Sequence, residues 1–237
     1  MISRTVSTEK ERIGRLSRVR QVIFGTLDGL LVPLGVVSAV AGGTGSSKVV
    51  IIAGIAEAVA GALSMGAGEF ISGRAEAQIH ASEVRNEIEG MRLDPDFEFN
   101  EMVLLLEQEE MSNADARSIV ETLQKNPRAY QKAMVAFELG LEVHTETVKI
   151  ANAVVIALSY ALAAMVPLFA YFFLPVESAF VVSLVLSLLV FVGVGVLKGR
   201  LAKSGIVVSV IEVLAVGAVS GLGGYFLGTW IPRIFGY

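Results

Sequence analysis

Five long apolar runs, at 22–41, 49–72, 150–174, 178–197 and 206–231, alternate with polar stretches along the chain. Each reaches the roughly 20 helical residues needed to cross a hydrocarbon core of about 30 Å, so each predicts a transmembrane helix. The first is not a cleaved leader. It lacks a clear small-residue cleavage site, carries Asp28, and is followed at once by the second run. Before it, at 8–20, Ile13, Leu16 and Val19 recur at helical spacing among basic residues. That pattern reads either as an amphipathic helix on an anionic membrane surface or as a basic tail that only sets orientation.

Residues 74–149 follow another pattern, with 16 Asp/Glu against 8 Lys/Arg. Helix signals are good there and strand signals poor. The second span continues as a polar helix from Arg74 to about Met91. Asp94 and Pro95 supply a cap and a first-turn proline for a helix through Met111. Ser112 with Asp115 resembles a capping box for a helix to about Lys125. Asn126 and Pro127 start another, running to about Glu142. Phe99, Met102, Val103 and Leu106 fall at i, i+3, i+4, i+7, one face of a helix. The fold class is therefore an all-α integral membrane protein, with five transmembrane helices and a helical insert between helices 2 and 3. Four regions follow: an N-terminal segment 1–21, helices 1–2 in 22–73, the acidic insert 74–149, and helices 3–5 in 150–237.

Charge sets the expected orientation. Six of the 19 Lys/Arg precede the first span, Lys48 alone follows it, and Lys198, Arg200 and Lys203 follow the fourth. Positive-inside counting puts the N-terminus and the insert in the cytoplasm and the C-terminus outside. Composition then removes whole classes of chemistry. Hydrophobic residues make up 54% and charged residues 18%, so the chain is neither a disordered nor an ordinary soluble protein. With no cysteine, there are no disulfides, thiolate zinc sites or iron–sulfur clusters. His80 and His144 are too few for a histidine cage and read as surface residues. The net charge of −4 offers no footprint for nucleic acid.

What remains is carboxylate chemistry. A charge buried at mid-membrane costs at least about 2.5–3.5 kcal/mol on insertion scales and usually faces a polar pathway. Asp28, Glu57, Glu69 and Glu212 lie in the spans, with no Lys or Arg deep in any span to neutralise them. Such acids call for a cation, a proton, or both. Asp28 precedes Pro33, whose missing N–H frees a carbonyl. Glu57, Gly61, Met65 and Glu69 recur at four-residue steps. Met65 is either core filler or a soft ligand that transition ions tolerate better than Mg²⁺ or Ca²⁺. In the insert, Glu83 with Glu87, Glu98 with Glu101, and Met134 with Glu138 form pairs at i+3 or i+4. Each pair read alone is compatible with a solvated face. A ferritin-type di-iron oxidase is disfavoured because neither histidine follows a Glu at i+3.

Asp28-Gly29-Leu30 with Pro33, the run AEAVAGALSMGAGEFIS at 56–72, and Asn126-Pro127 leading to FELGLE at 137–142 resemble the vacuolar iron transporter family. The resemblance covers nearly the whole chain. It implies a homodimeric ferrous-ion/proton antiporter that moves Fe²⁺, and often Mn²⁺, out of the cytosol, with Zn²⁺ or Co²⁺ as further possible ligands. It implies a membrane ion site at Asp28, Glu57 and Met65, with Glu69 on the same path. It also implies metal binding in the insert by Glu98, Glu101, Met134 and Glu138, with Glu83 and Glu87 the nearest matches on the first insert helix. Fe²⁺ would be substrate, not prosthetic group. The expected location is a plasma membrane in a prokaryote and a vacuolar membrane in a eukaryote. Beside this transporter stand a membrane-anchored metal-binding or sensing module and a passive divalent cation channel. The unpaired acids favour transport, because an anchor has no need of them.

Overall fold

The computed structural model describes residues 2–141, 150–201, 203 and 205–235, with the side chains of 2–18, 232 and 235 excepted. Every described element is helical. They are α1 (Ile2–Thr44), α2 (Ser47–Leu93), α3 (Pro95–Gln108), α4 (Asn113–Gln124), α5 (Pro127–Glu138), α6 (Ile150–Phe169), α7 (Val176–Leu201) and α8 (Ile206–Phe235), with a 3₁₀ turn at Ala170–Phe172. Among the described residues, five helices are long and apolar enough to cross a membrane, so the protein is an all-α membrane protein. The chain forms two compact units, one of Met1–Phe70 with Lys149–Tyr237 and one of Ile71–Val148.

In the first unit, small residues decide how the helices meet. Lipid removes the hydrophobic drive between helices, so association depends on close backbone packing. Gly25 lies against Ile156 and Gly29 against Tyr160, contacts that rise together along α1 and α6 and make those helices parallel. Gly35 meets Gly224 and Ala39 meets Gly228, so α1 and α8 are parallel too. On α2 and α6 the order reverses: Gly54 faces Leu168, Gly61 faces Tyr160 and Gly66 faces Ala153. Between α7 and α8 it also reverses, with Gly199 against Ile206 and Gly195 against Val210. The five spans therefore alternate in direction. Large apolar side chains such as Ile52, Leu63, Leu162 and Val219 point outward, as hydrocarbon surroundings allow.

The segment 8–20 is not an element of its own, because α1 runs unbroken from Ile2. The side chains of Ile13 and Leu16 lie outside the described residues. Pro33 sits inside α1, and two residues before it the Leu31 carbonyl accepts from Ser220 Oγ at 2.5 Å. A similar bond in the α6–α7 contact runs from Ser183 Oγ to the Pro167 carbonyl at 2.7 Å.

In the second unit the caps read from sequence are present. Asp94 accepts from the Phe97 amide, Ser112 from Asp115 and Asn126 from Ala129. Two helices end earlier than their patterns suggest. α3 stops at Gln108, where Glu110 takes φ 64°, and α5 stops at Glu138, where Gly140 takes φ 63°. Met102, Val103, Leu106, Ala116, Val120, Tyr130 and Met134 form the core of this unit.

Candidate functional site

The membrane acids gather round a tyrosine. Tyr160 on α6, only 2% exposed, donates its hydroxyl proton to Glu57 Oε1 on α2. Two glycines make the approach possible. A β-carbon at Gly61, one turn beyond Glu57, would occupy the space of the Tyr160 hydroxyl. One at Gly29, beside Asp28, would strike the Tyr160 backbone. Tyr160 thus lies within electrostatic reach of both Glu57 and Asp28. Met65 packs on the same cluster, with Ala58, Ala62 and Ala164. The second Glu57 oxygen is buried with no hydrogen-bond partner among the described residues. Among the described residues, neither Asp28 nor Glu57 pairs with a Lys or Arg. Oxygen ligands, a thioether and a phenol donor therefore share one neighbourhood in the spans.

Two other membrane acids have different settings. Glu69 accepts from Gln21 Nε2 at 3.3 Å. Glu212 is taken up by Lys198, whose Nζ lies 2.7 Å from its carboxylate at an exposed position. The sequence leaves Glu212 without a partner; the turn between α7 and α8 supplies one. Tyr160 went unrecognised in the sequence. Its only signal there is a polar aromatic within the apolar run 153–166, and a buried Tyr usually finds a partner for its hydroxyl.

The second unit carries a carboxylate cluster. Oxygens of Glu87 on α2, Glu98 on α3 and Glu138 on α5 all lie within 4.8 Å of one another. Glu98 is 6% exposed, Glu87 half-buried and Glu138 exposed. Glu98 reaches into the space left by Gly90, where a β-carbon would meet its Oε1. Burial first, then the Glu138 and Glu98 carboxylates, push Glu87 up to about 8. Burial also raises Glu98, helped by the charges of Glu101, Glu138 and Asp94 and opposed by a hydrogen bond with Glu87. Glu101, half-buried, is raised by burial and by Glu138. Glu87 Oε1 and Glu98 Oε2 are buried without hydrogen-bond partners among the described residues. Crowded carboxylates with orphaned oxygens take up protons, or a divalent cation in their place.

The remaining sequence candidates fall as follows. Met134 is fully buried in the unit's apolar core, one turn before Glu138 on α5. Glu83 is exposed and stands outside the cluster of three. His80 is half-buried, and His144 lies outside the described residues.

Comparison with known proteins places the chain. Residues 19–229 match the VIT family. "Vacuolar iron transporter 1" of Tulipa gesneriana is 36% identical over 217 residues, covering 91% of this chain and 88% of that protein. "Vacuolar iron transporter" of Centaurea cyanus is 33% identical over 85% of this chain and 83% of its own length. "Vacuolar iron transporter 1" of Arabidopsis thaliana is 34% identical over 88% and 84%. A match of this extent, on a frame of five alternating spans, means that the chain belongs to the VIT family.

Proposed function

We propose that the protein is a secondary transporter, not an enzyme, that carries Fe²⁺ out of the cytosol in exchange for protons, with Mn²⁺ as a secondary candidate cargo. Iron as cargo follows from the names of its relatives. The observation that carries the mechanism is the Tyr160–Glu57 hydrogen bond inside the spans, with Gly29, the neighbour of Asp28, packed on the Tyr160 backbone. Carboxylates in a low-dielectric setting must be neutralised. A proton and a divalent cation both do so, and the two compete for the same oxygens. Loading of Fe²⁺ on Asp28 and Glu57, with Met65 as a soft ligand, therefore releases protons. Return of protons from the far side releases the metal. The Tyr160 hydroxyl holds Glu57 in place while no ion is bound.

The insert serves as the capture element. Glu87, Glu98 and Glu138 offer three carboxylates to a divalent ion, with Glu101 beside them. Met134, on the Glu138 side of α5, and Glu83, on the same helix as Glu87, are the outer members of the set. Positive-inside counting puts this unit and the N-terminus in the cytoplasm. A homodimer, with α1 and α2 lining the path near the two-fold axis, completes the reading. In a eukaryotic host the receiving compartment is the vacuole that the relatives' names specify.

Uptake of Fe²⁺ or Mn²⁺ into liposomes, with and without a pH gradient, tests this directly. Metal entry accelerated by an acidic interior and accompanied by proton efflux is the expected result. Entry indifferent to the gradient would mean a channel. Binding without entry would mean an anchored metal-binding module.

A further inference from the structure

Tyr130 on α5 puts a hydroxyl into the apolar core of the second unit. It packs with Met102, Leu106 and Met134 and is only 8% exposed. Among the described residues that hydroxyl has no hydrogen-bond partner. A buried polar group left unpaired is costly, and phenylalanine would fill the same space without the cost. Buried tyrosines usually find a partner for the hydroxyl. In the ion-free protein this one has none to find.

The carboxylate cluster stands beside it. Met102 lies one turn after Glu98 on α3, and Met134 one turn before Glu138 on α5, so two of the three acids adjoin side chains packed with Tyr130. Burial raises the phenol pKa and the charges of Glu98 and Glu87 add to it, so the hydroxyl keeps its hydrogen. Gln124, exposed at the end of α4, approaches the phenol from the donor side, which leaves that hydrogen unclaimed. Glu98 offers a matching acceptor. Its Oε1 fills the space beside Gly90, while its Oε2 is buried without a partner among the described residues. A carboxylate that ligates a metal needs a hydrogen bond from outside the ligand set to fix its orientation. A divalent ion shared by Glu87, Glu98 and Glu138 draws one Glu98 oxygen and leaves the other to such a donor. Ionised neighbours have no hydrogen to give; a phenol has.

We propose that Tyr130 is a positioning residue of the capture site, whose hydroxyl, unused in the ion-free protein, donates to the Glu98 carboxylate when that carboxylate holds a divalent cation. The inference rests on the capture reading above. Its test is Mn²⁺ affinity and metal-free melting temperature, at fixed pH, for the full-length Asp28→Asn protein with and without Tyr130→Phe. Tyr130→Phe should weaken Mn²⁺ binding about tenfold. The metal-free melting temperature should stay at the parent's value or rise, because an unpaired buried hydroxyl is gone. A purely structural tyrosine gives the opposite pair, a lower melting temperature with unchanged affinity. The same substitution added to Glu98→Gln should change affinity by less than about twofold, since the carboxylate it positions is then absent. Unchanged affinity in Tyr130→Phe overturns the proposal. So does a lowered metal-free melting temperature or a failure to fold, since the hydroxyl would then be holding the ion-free structure together. A tenfold loss that persists in Glu98→Gln overturns it too. Absence of Mn²⁺ binding by the parent would remove the capture reading and the proposal together. Binding by the parent that Tyr130→Phe leaves untouched would remove the proposal alone.

Discussion

A phenol donating to a carboxylate inside a membrane span fixes where that carboxylate points and stabilises it while no ion is bound. Tyr160→Phe removes only the hydroxyl. Hydrogen bonds to charged groups contribute about 1.5–3 kcal/mol, here to the ion-free state, so the KM for metal should fall by about tenfold or more while the protein elutes as wild type on size exclusion. Normal uptake in that variant would reduce Tyr160 to a packing residue. Glu87 permits a prediction with a definite sign. Its pKa is raised to about 8 from 4.5, so it is protonated at neutral pH and must lose that proton to bind a cation. Mn²⁺ affinity, measured on the full-length protein in an Asp28→Asn background to isolate the insert, should rise from pH 6 to 8 by up to about tenfold per unit and then level off. For the metal-free protein the linkage runs the other way. A raised carboxyl pKa gives stability that is complete below the unfolded value and lost as pH rises through the folded one, so this group lowers the melting temperature between pH 4.5 and about 8. The membrane acids were legible in sequence because a charge in an apolar run is costly wherever it points. Tyr160 was not, since a tyrosine there is an ordinary core residue until its partner is known. Nor does any local spacing reveal that Glu87 meets Glu138, a contact between distant parts of the chain.

Helix starts in the insert could be read because capping is local: Asp94, Ser112 and Asn126 each satisfy an amide within three residues of themselves. The extent of α1 could not. The change from basic to apolar residues near Arg20 marks a change of surroundings, yet nothing there breaks the backbone hydrogen bonding, and the helix continues through it. The early ends of α3 and α5 turn on left-handed backbone at Glu110 and Gly140, and glutamate carries no signal for that conformation. Glycines in the spans announced close packing without naming the partner. The structure supplies it for α8, where Gly224 lies on Gly35 and Gly228 on Ala39, with backbone on backbone. A side chain at residue 224 has no flexible neighbour to displace. Gly224→Leu should therefore part α1 from α8 and cost about 1–3 kcal/mol or more, seen as a lower melting temperature in detergent and reduced recovery of folded protein. Gly223→Leu is the control, since a β-carbon there meets nothing within 4 Å, and it should be tolerated.

The two units carry two different carboxylate sites, and this allows capture and translocation to be separated by mutation. In the first unit, Asp28→Asn keeps the shape and hydrogen-bonding capacity of the side chain but removes the charge that attracts a cation and the site that carries a proton. Burying that charge costs stability, so the variant should insert and fold nearly normally while losing proton-coupled uptake. Metal binding by the insert should persist, because Glu87, Glu98 and Glu138 are untouched. In the second unit, Glu98→Gln removes the most buried charge of the cluster. It should weaken metal binding about tenfold or more and slow uptake at low metal, yet leave the rate at saturating metal close to wild type. Paired measurements of binding and uptake on both variants decide the matter. Wild-type uptake by Asp28→Asn would remove Asp28 from the path, and its misfolding would make Asp28 a structural residue. A Glu98→Gln protein that binds normally would leave the cluster as an acidic core of the insert without a part in capture. One that cannot transport at any metal concentration would mean that the insert takes part in translocation itself.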